Sequence, residues 1–281
     1  MAYVRTRLGR WYFEEAGQKA KEEDATIVLL HSLLCDGGMW RGQVPALREL
    51  GRVVVLDGPG HGRSEPPPPF TLEEHARALV DAFDELLITK AIIVGLSWGG
   101  MVAMRLALHR PERLRALVIL DSTAEGTTLR ERVKYGFLSQ LALRVGLPPA
   151  LVRRKVAPLM FSPRTFMRAP ELVDELVRSV SGFSRRGLVN AINAVSIDRP
   201  AIYESLRGIR VPTLVGYGED DVATPAHHSR RIASYIGGSS LVTFKGGGHL
   251  SALEEPDEVN RYLVPFVEEN LSSPPAPPAG R

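Results

Sequence analysis

The stretch 91–100, AIIVGLSWGG, runs from a short apolar segment into a serine that stands between two glycines. Ser97 is the centre of the pattern G-x-S-x-G, with Gly95 two residues before it and Gly99 two residues after it. A buried strand that turns this sharply into a helix has no room for side chains at the two flanking positions. The pattern therefore predicts a strand, a strained turn and a helix, with a nucleophilic hydroxyl at the tip of the turn. The alternative is an ordinary strand–helix turn that uses the serine as its N-cap.

Short apolar runs alternate with helical patterns along most of the chain. The runs predicted to be strands are 26–30, 52–57, 91–96, 115–121, 212–218 and 240–245. The predicted helices are 40–50, 71–87, 98–109 and two that begin near Pro225 and Pro256, and a β-hairpin is predicted over 3–17. Strands that are apolar throughout and separated by helices are typical of a parallel sheet covered on both faces. The predicted fold class is α/β, with a mostly parallel central sheet.

One long segment interrupts this alternation. Residues 122–210 carry helical patterns without a convincing strand, which predicts a helical cap inserted into a core domain formed by 1–121 and 211–271. The proline-rich end, 272–281, is predicted to be disordered. Residues 127–210 hold 15 basic and 6 acidic residues, a net +9, whereas the remaining 20 basic and 26 acidic residues give −6. A solvated basic surface and a basic lid that attracts an anionic substrate both remain open.

A serine hydroxyl becomes a good nucleophile when a base takes its proton and a carboxylate orients that base. His249 follows the last predicted strand in KGGGHLSA, where glycines free the loop to place an imidazole. Three acids follow the preceding predicted strand: Glu219, Asp220 and Asp221. The carboxyl ends of parallel strands meet at one edge of the sheet, so we expect both loops to lie beside the serine. Position alone leaves the choice among the three carboxylates open.

Composition narrows the range of functions. The 281 residues are 44% hydrophobic and 24% charged, and a net charge of +3 gives no reason to expect a nucleic-acid partner. No apolar run reaches the roughly 20 residues that span a membrane, and the N-terminal stretch lacks the apolar core of a signal peptide, so we expect a cytoplasmic protein. No metal-ligand spacing or phosphate-binding glycine loop occurs, so we expect neither a metal nor a cofactor. Cys35, the single cysteine, is expected to be catalytically passive.

Five motifs in order resemble those of the α/β-hydrolase superfamily: LLHSLLCDGGMW, LDGPGHGRS, VGLSWGGMVA, GEDDVATP and GGGHLSALEEPDEVN. The resemblance covers the chain apart from its proline-rich end, and it implies a role for each matching residue. Ser97 is then the nucleophile, His249 the base and Asp221 the acid that orients the base. The backbone N–H groups of Leu33 and Trp98 are then the donors of the oxyanion hole.

Within that superfamily, GLSWGGMVA and the helical cap most resemble 3-oxoadipate enol-lactonases and related small carboxylesterases. This resemblance implies a cofactor-free serine hydrolase that cleaves a small carboxylic ester or lactone, an anionic enol-lactone included, through an acyl-enzyme. A haloperoxidase or perhydrolase with the same triad is one alternative. A receptor of the same fold, which closes its cap on a small molecule without turnover, is another. One departure is Ser32, which stands where the superfamily usually has glycine.

Overall fold

The computed structural model describes residues 2–18, 24–197 and 199–272. The strands are β1 Tyr3–Thr6, β2 Gly9–Ala16, β3 Thr26–Leu30, β4 Val53–Leu56, β5 Ala91–Leu96, β6 Leu114–Leu120, β7 Thr213–Gly218 and β8 Ser240–Phe244. They form one sheet in the order β1-β2-β4-β3-β5-β6-β7-β8. The predicted hairpin is β1 with β2, β2 pairs antiparallel with β4, and all other neighbours are parallel. The predicted α/β class with a mostly parallel sheet is confirmed.

Helices cover both faces of the sheet. They are α1 Val44–Leu47, α2 Leu72–Glu85, α3 Trp98–His109, α4 Leu129–Val145, α5 Pro149–Leu151, α6 Ala157–Met160, α7 Pro163–Arg168, α8 Pro170–Gly182, α9 Arg185–Ser196, α10 Tyr203–Leu206, α11 His227–Tyr235, α12 Ser251–Glu254 and α13 Pro256–Leu271. Side chains alternate across a strand, so each strand feeds two cores. Val28 and Leu30 of β3 pack in the core that contains α2 and α3, and Ile27 and Leu29 pack in the core that contains α13.

Most of the predicted helices are present, but the one predicted over 40–50 is wrong. In its place the chain forms a 3₁₀ turn over Gly37–Trp40 and the single helical turn α1. Pro45 lies at the start of α1. Proline has no backbone N–H to donate, and its ring crowds the preceding turn, so Pro45 favours a helix start here and disfavours a helix that runs from residue 40 through it. The spacing of apolar residues over 40–50 predicted a continuous helix because it took no account of Pro45.

Residues 122–210, here called the cap segment, connect β6 to β7 and contain α4 to α10, with no strand in their described part. The segment contacts two loops at the carboxyl edge of the sheet. The Leu250 N–H donates to the Met160 carbonyl at 3.0 Å, and the Phe183 ring lies 5.0 Å from the His61 ring. These contacts favour the predicted cap, although its status as a separate domain stays a prediction. The proline-rich segment 272–281 was predicted to be disordered, and its residues 273–281 lie outside the part of the chain that the structure describes.

One buried carboxyl group ties three loops of this edge together. Asp121, directly after β6, is fully buried. Its Oδ1 accepts a hydrogen bond from the Gly218 N–H at 2.7 Å, and its Oδ2 is hydrogen-bonded to the Ser251 hydroxyl at 2.5 Å. Burial, and after it the negative charge of Asp221, raise the pKa of Asp121 well above the usual range. The side chain therefore keeps its proton to a higher pH than an exposed aspartate does.

We predict that Asp121→Asn folds stably, because the amide reproduces a protonated carboxyl with one acceptor for Gly218 and one donor for Ser251. Asp121→Ala should lose about 1–3 kcal/mol of unfolding free energy for each buried partner left unsatisfied. Urea unfolding measures both values. The stability of the wild type relative to the asparagine variant should fall as pH rises through the pKa of Asp121, because the folded state binds that proton more tightly than the unfolded chain. Equal losses in both variants would contradict this assignment.

Candidate active site

Ser97 occupies the sharp turn between β5 and α3, as the glycine spacing predicted. Its backbone has φ 54° and ψ −108°, a left-handed conformation that is unusual outside glycine. A Cβ atom added at Gly95 would lie 2.4 Å from the carbonyl carbon of Gly99. One added at Gly99 would lie 2.2 Å from the carbonyl oxygen of Leu30 in β3. Both glycines are therefore required by close backbone contacts, and the interpretation as a nucleophile turn accounts for them.

Hydrogen bonds from the neighbouring strand hold this strained backbone in place. The Ser97 N–H donates to the Leu120 carbonyl at 2.8 Å, and the Ser122 hydroxyl donates to the Ser97 carbonyl at 2.7 Å. A conformation of this kind costs of the order of 1–3 kcal/mol and persists only where its surroundings determine it. The end of β6 thus fixes the direction in which the Ser97 hydroxyl points.

The structure brings together the three side chains predicted to act as a triad. His249 Nε2 lies 2.8 Å from Ser97 Oγ, and His249 Nδ1 lies 3.0 Å from Asp221 Oδ2. All three residues are buried, with Ser97 7% exposed. An imidazole that donates its Nδ1 proton to the carboxylate leaves Nε2 free to accept the serine proton. The arrangement can therefore perform general-base activation of the serine.

Asp221 is held as a charged acceptor. Its Oδ1 accepts hydrogen bonds from the N–H groups of Ala223 and Thr224, and its Oδ2 accepts one from the Thr224 hydroxyl at 2.7 Å. Burial alone would raise the pKa of Asp221, but the interaction with His249 and the hydrogen bonds from Thr224 outweigh it. The pKa of Asp221 is consequently below its ordinary value, so the carboxylate is ionised when it faces the imidazole.

The other two acids of this loop are placed elsewhere. Glu219 accepts a hydrogen bond from the Gly246 N–H at 3.1 Å. The side chain of Asp220 makes no hydrogen bond or ion pair with any residue that the structure describes, and only its backbone N–H is engaged, with the Gly247 carbonyl. Of the three carboxylates that the sequence left open, Asp221 is the one that reaches His249.

The two predicted oxyanion donors lie in loops of fixed geometry. Trp98 is the first residue of α3, where backbone N–H groups point outward and the helix dipole favours negative charge. Leu33 follows β3, in a loop that His31 braces: Nε2 of His31 accepts from the Gly58 N–H at 2.7 Å, so its Nδ1 carries the proton and donates to the Ser32 carbonyl at 2.8 Å. Within the described chain, neither the Leu33 N–H nor the Trp98 N–H donates to another group.

A cluster of neutral histidines supports the oxyanion loop from below. The buried indole of Trp98 packs against the rings of His31, His61 and His75 at 5.7, 4.9 and 4.7 Å. Burial lowers the pKa of His61 to about 3 and that of His75 well below its usual range. His61 Nε2 accepts from the Leu34 N–H at 3.2 Å. The rings of His61 and His75 therefore act as uncharged packing and hydrogen-bonding groups, and His61 belongs to the GPGHGRS motif.

Sequence reasoning missed Glu254, which links the cap segment to the histidine loop. Its carboxylate accepts hydrogen bonds from the Ser162 N–H at 2.7 Å, the Thr165 hydroxyl at 2.5 Å and the Gly248 N–H at 3.0 Å. The first two groups lie at the start of α7, and Gly248 immediately precedes His249. Glu254 stands beside a second glutamate in the sequence, and no local signal separates the two.

A cavity of about 260 Å³ lies at the loops that carry Leu33 and His249, and none of Ser97, Asp221 and His249 is among its lining residues. Its wall includes Leu34 and Leu250, which directly follow Leu33 and His249 in the chain, and on the opposite side residues of α8 such as Arg178. Most of the other lining side chains are apolar. Cys35 also lines it, and burial raises the pKa of its thiol, so it is held as an uncharged thiol rather than a thiolate.

No group of three or more histidine, cysteine, aspartate or glutamate side chains among the described residues could hold a metal ion. No helix among them is both long enough and apolar enough to span a bilayer.

The model of the alpha/beta hydrolase family matches residues 27–262. The carbamate hydrolase RutD of Pantoea ananatis is 27% identical over 275 residues, which cover 95% of this chain and 97% of RutD. The 3-oxoadipate enol-lactonase 1 of Acinetobacter baylyi is 27% identical, over 88% of this chain and 90% of the lactonase. The solved enol-lactonase from Burkholderia xenovorans LB400 has a TM-score of 0.85 and 26% identity, over 95% of this chain and 99% of that one. The chain belongs to the alpha/beta hydrolase family.

Proposed function

We propose that this hydrolase cleaves a small carboxylic ester or lactone through an acyl-enzyme, with Ser97 as nucleophile, His249 as general base and Asp221 as the orienting acid. The observation that carries the proposal is the pair of contacts made by His249, 2.8 Å to Ser97 Oγ and 3.0 Å to Asp221 Oδ2. Distances of this size allow direct proton transfer from the hydroxyl to the imidazole.

The reaction follows from these contacts. Ser97 Oγ attacks the carbonyl carbon while His249 Nε2 takes its proton, and the oxyanion that forms accepts hydrogen bonds from the N–H groups of Leu33 and Trp98. His249 then gives the proton to the leaving alkoxide, and the acyl group stays on the serine. Water repeats the attack with the same base and releases the acid. Removal of one oxyanion donor typically costs about 100- to 1,000-fold in rate, so the two amides matter as much as the triad.

Names of similar proteins support an ester or lactone as the bond that is cleaved. Two 3-oxoadipate enol-lactonases and a solved enol-lactonase resemble the chain over most of its length. Carbamate hydrolysis, the activity in the name of RutD, is the second candidate, because the same serine attack applies to a carbamate carbonyl. No specific observation favours the peroxidase or the receptor alternative.

The charge of the cap segment supports an anionic substrate. Residues 127–210 carry a net +9, and Arg178 lines the cavity of about 260 Å³. Arg41, which lines the same cavity, is paired with Glu175 at 2.9 Å, whereas Arg178 forms no ion pair with a described residue. Asp36 and Glu175 also line the cavity, so its wall carries both charge signs. We propose that the cap segment covers the site and that its net positive charge, together with Arg178 at the cavity, attracts a carboxylate on the substrate.

Ser97→Ala should lose at least about 1,000-fold in turnover and stay folded, because the hydroxyl is a strained polar tip that contributes little packing. A turnover screen over esters, lactones, carbamates and amides gives the measurement, and a fluorophosphonate should label the wild type at Ser97 alone. Undiminished turnover in the variant, or labelling at another residue, would exclude Ser97 as the nucleophile. Preferential turnover of carbamates would select the second candidate.

Asp221→Asn should lower kcat by roughly 1,000- to 10,000-fold, because the amide disturbs the imidazole tautomer that Ser97 needs. The matched control is Asp220→Asn, one residue away in the same loop, which should change kcat by less than about twofold because that side chain makes no hydrogen bond or ion pair with a described residue. Steady-state kinetics on a neutral ester measures both. The reverse ranking would show that the other aspartate orients the base.

A carboxylate-bearing ester should have a higher kcat/KM than its neutral methyl-ester analogue, and the advantage should shrink between about 20 mM and about 0.5 M salt as the screening length falls. Arg178→Gln should remove more of this advantage than Arg168→Gln, which deletes the same charge from an exposed position outside the cavity wall. Equal salt responses for the two substrates would remove the steering role. Equal effects of the two variants would show that the overall positive charge of the cap segment, rather than Arg178 at the cavity, attracts the anionic substrate.

A further inference from the structure

Helix α4 exposes a row of large apolar side chains. Leu129, Val133, Phe137, Leu141 and Val145 recur every four residues and are 78%, 69%, 71%, 46% and 58% exposed. Residues four apart are neighbours on a helix surface, so the five form one continuous row, here called the α4 stripe. Sixteen residues at 1.5 Å each make the α4 stripe about 24 Å long.

The inner face of α4 does not use these side chains. Its buried residues are Ser139 and Ala142, which are small, on a helix that packs against α9. An ordinary surface helix buries its large apolar residues and exposes its polar ones. Helix α4 reverses that order, and contiguous apolar surface of this kind marks a site of interaction in proteins that fold in water.

Basic side chains share the exposed face with the α4 stripe. At 100° per residue, Arg130, Lys134 and Arg144 fall within the same arc as Val133 and Phe137. All three basic residues are exposed, and none forms an ion pair with a residue that the structure describes.

The helix carries little compensating negative charge. The sole acidic residue of α4 is Glu131, and its carboxylate accepts hydrogen bonds from the Thr128 N–H and hydroxyl in a capping box. The Glu131 carboxylate therefore lies at the start of the helix and not along the α4 stripe. The exposed face that carries the α4 stripe is consequently strongly positive.

We propose that α4 docks onto an anionic lipid surface, with the α4 stripe inserted at the boundary between headgroups and acyl chains and the neighbouring cations on lipid phosphates. Helices that lie in a membrane interface carry lysine and arginine on the face beside the apolar one. On α4 the cations instead interleave with the α4 stripe, and their long stems allow the charged groups to reach back to the headgroups. This inference concerns a surface of the cap segment and does not depend on the reaction proposed for the triad.

The charge pattern disfavours the other occupants of this face. In a symmetric dimer through α4, the same basic residues would face each other across the two-fold axis and repel. A protein partner would bury Lys134 within the contact, and the cores of protein interfaces are depleted of lysine although they accept arginine. A lipid surface accepts the interleaved pattern without either cost.

Sedimentation of the full chain with vesicles tests the proposal. The chain should bind vesicles of phosphatidylglycerol and phosphatidylcholine in equal amounts and should not bind pure phosphatidylcholine. Phe137→Ser should weaken binding by roughly tenfold, because one buried phenyl ring is lost from the lipid phase. Lys134→Gln should weaken it by roughly fivefold, and increasingly less as salt is raised.

Matched controls are available outside the cap segment. Leu87→Ser removes an apolar side chain that is 79% exposed, and Lys245→Gln removes an exposed lysine, and neither should change vesicle binding. Turnover of a small ester in solution should be unchanged in the Phe137 variant, which shows that it is folded. Absence of binding to anionic vesicles, equal binding to both vesicle types, or equal effects of controls and test variants would overturn the proposal. If analytical ultracentrifugation shows a dimer of the wild type that Phe137→Ser does not form, the exposed face of α4 binds a second copy of the chain instead of lipid.

Discussion

The close approach of α3 to β3 is the constraint on which the site depends. At Gly99 the helix passes so near the Leu30 carbonyl that a methyl group would overlap it. That contact sets the start of α3 immediately after β5, which forces Ser97 into its left-handed conformation and turns the first N–H groups of α3 towards the space above the serine. The position of Ser97, the direction of the helix dipole and the outward N–H of Trp98 therefore all follow from one backbone contact that only glycine permits.

Residues whose role is set by their nearest neighbours in the chain could be predicted from the sequence. Ser97 and its glycines, the alternation of strands and helices and the position of His249 all belong to this group. The helix over 40–50 was wrong because Pro45 overrides apolar periodicity. Thr224 and Glu254 could not be identified, since their partners are hydroxyl and backbone groups brought together only by the fold. The choice of Asp221 over Asp220 likewise rested on resemblance to a family, because adjacent carboxylates look alike until their directions are known.

Two buried aspartates at this edge of the sheet have pKa values shifted in opposite directions. Asp221 faces an imidazole and several hydrogen-bond donors, which lower its pKa, whereas complete burial raises the pKa of Asp121. The negative charge of Asp221 adds to the upward shift of Asp121, because ionising one carboxyl group penalises the other. Negative charge at this edge is therefore favoured on Asp221, the carboxylate that faces the imidazole of His249.

The hydrogen bonds of Glu254 and the contact between Leu250 and Met160 join the cap segment to the chain on both sides of His249. The start of α7 and the loop that carries His249 are therefore mechanically linked. In the proposed mechanism, a displacement of α7 would also shift the loop that aligns the imidazole with Ser97, so substrate access and base alignment would be coupled.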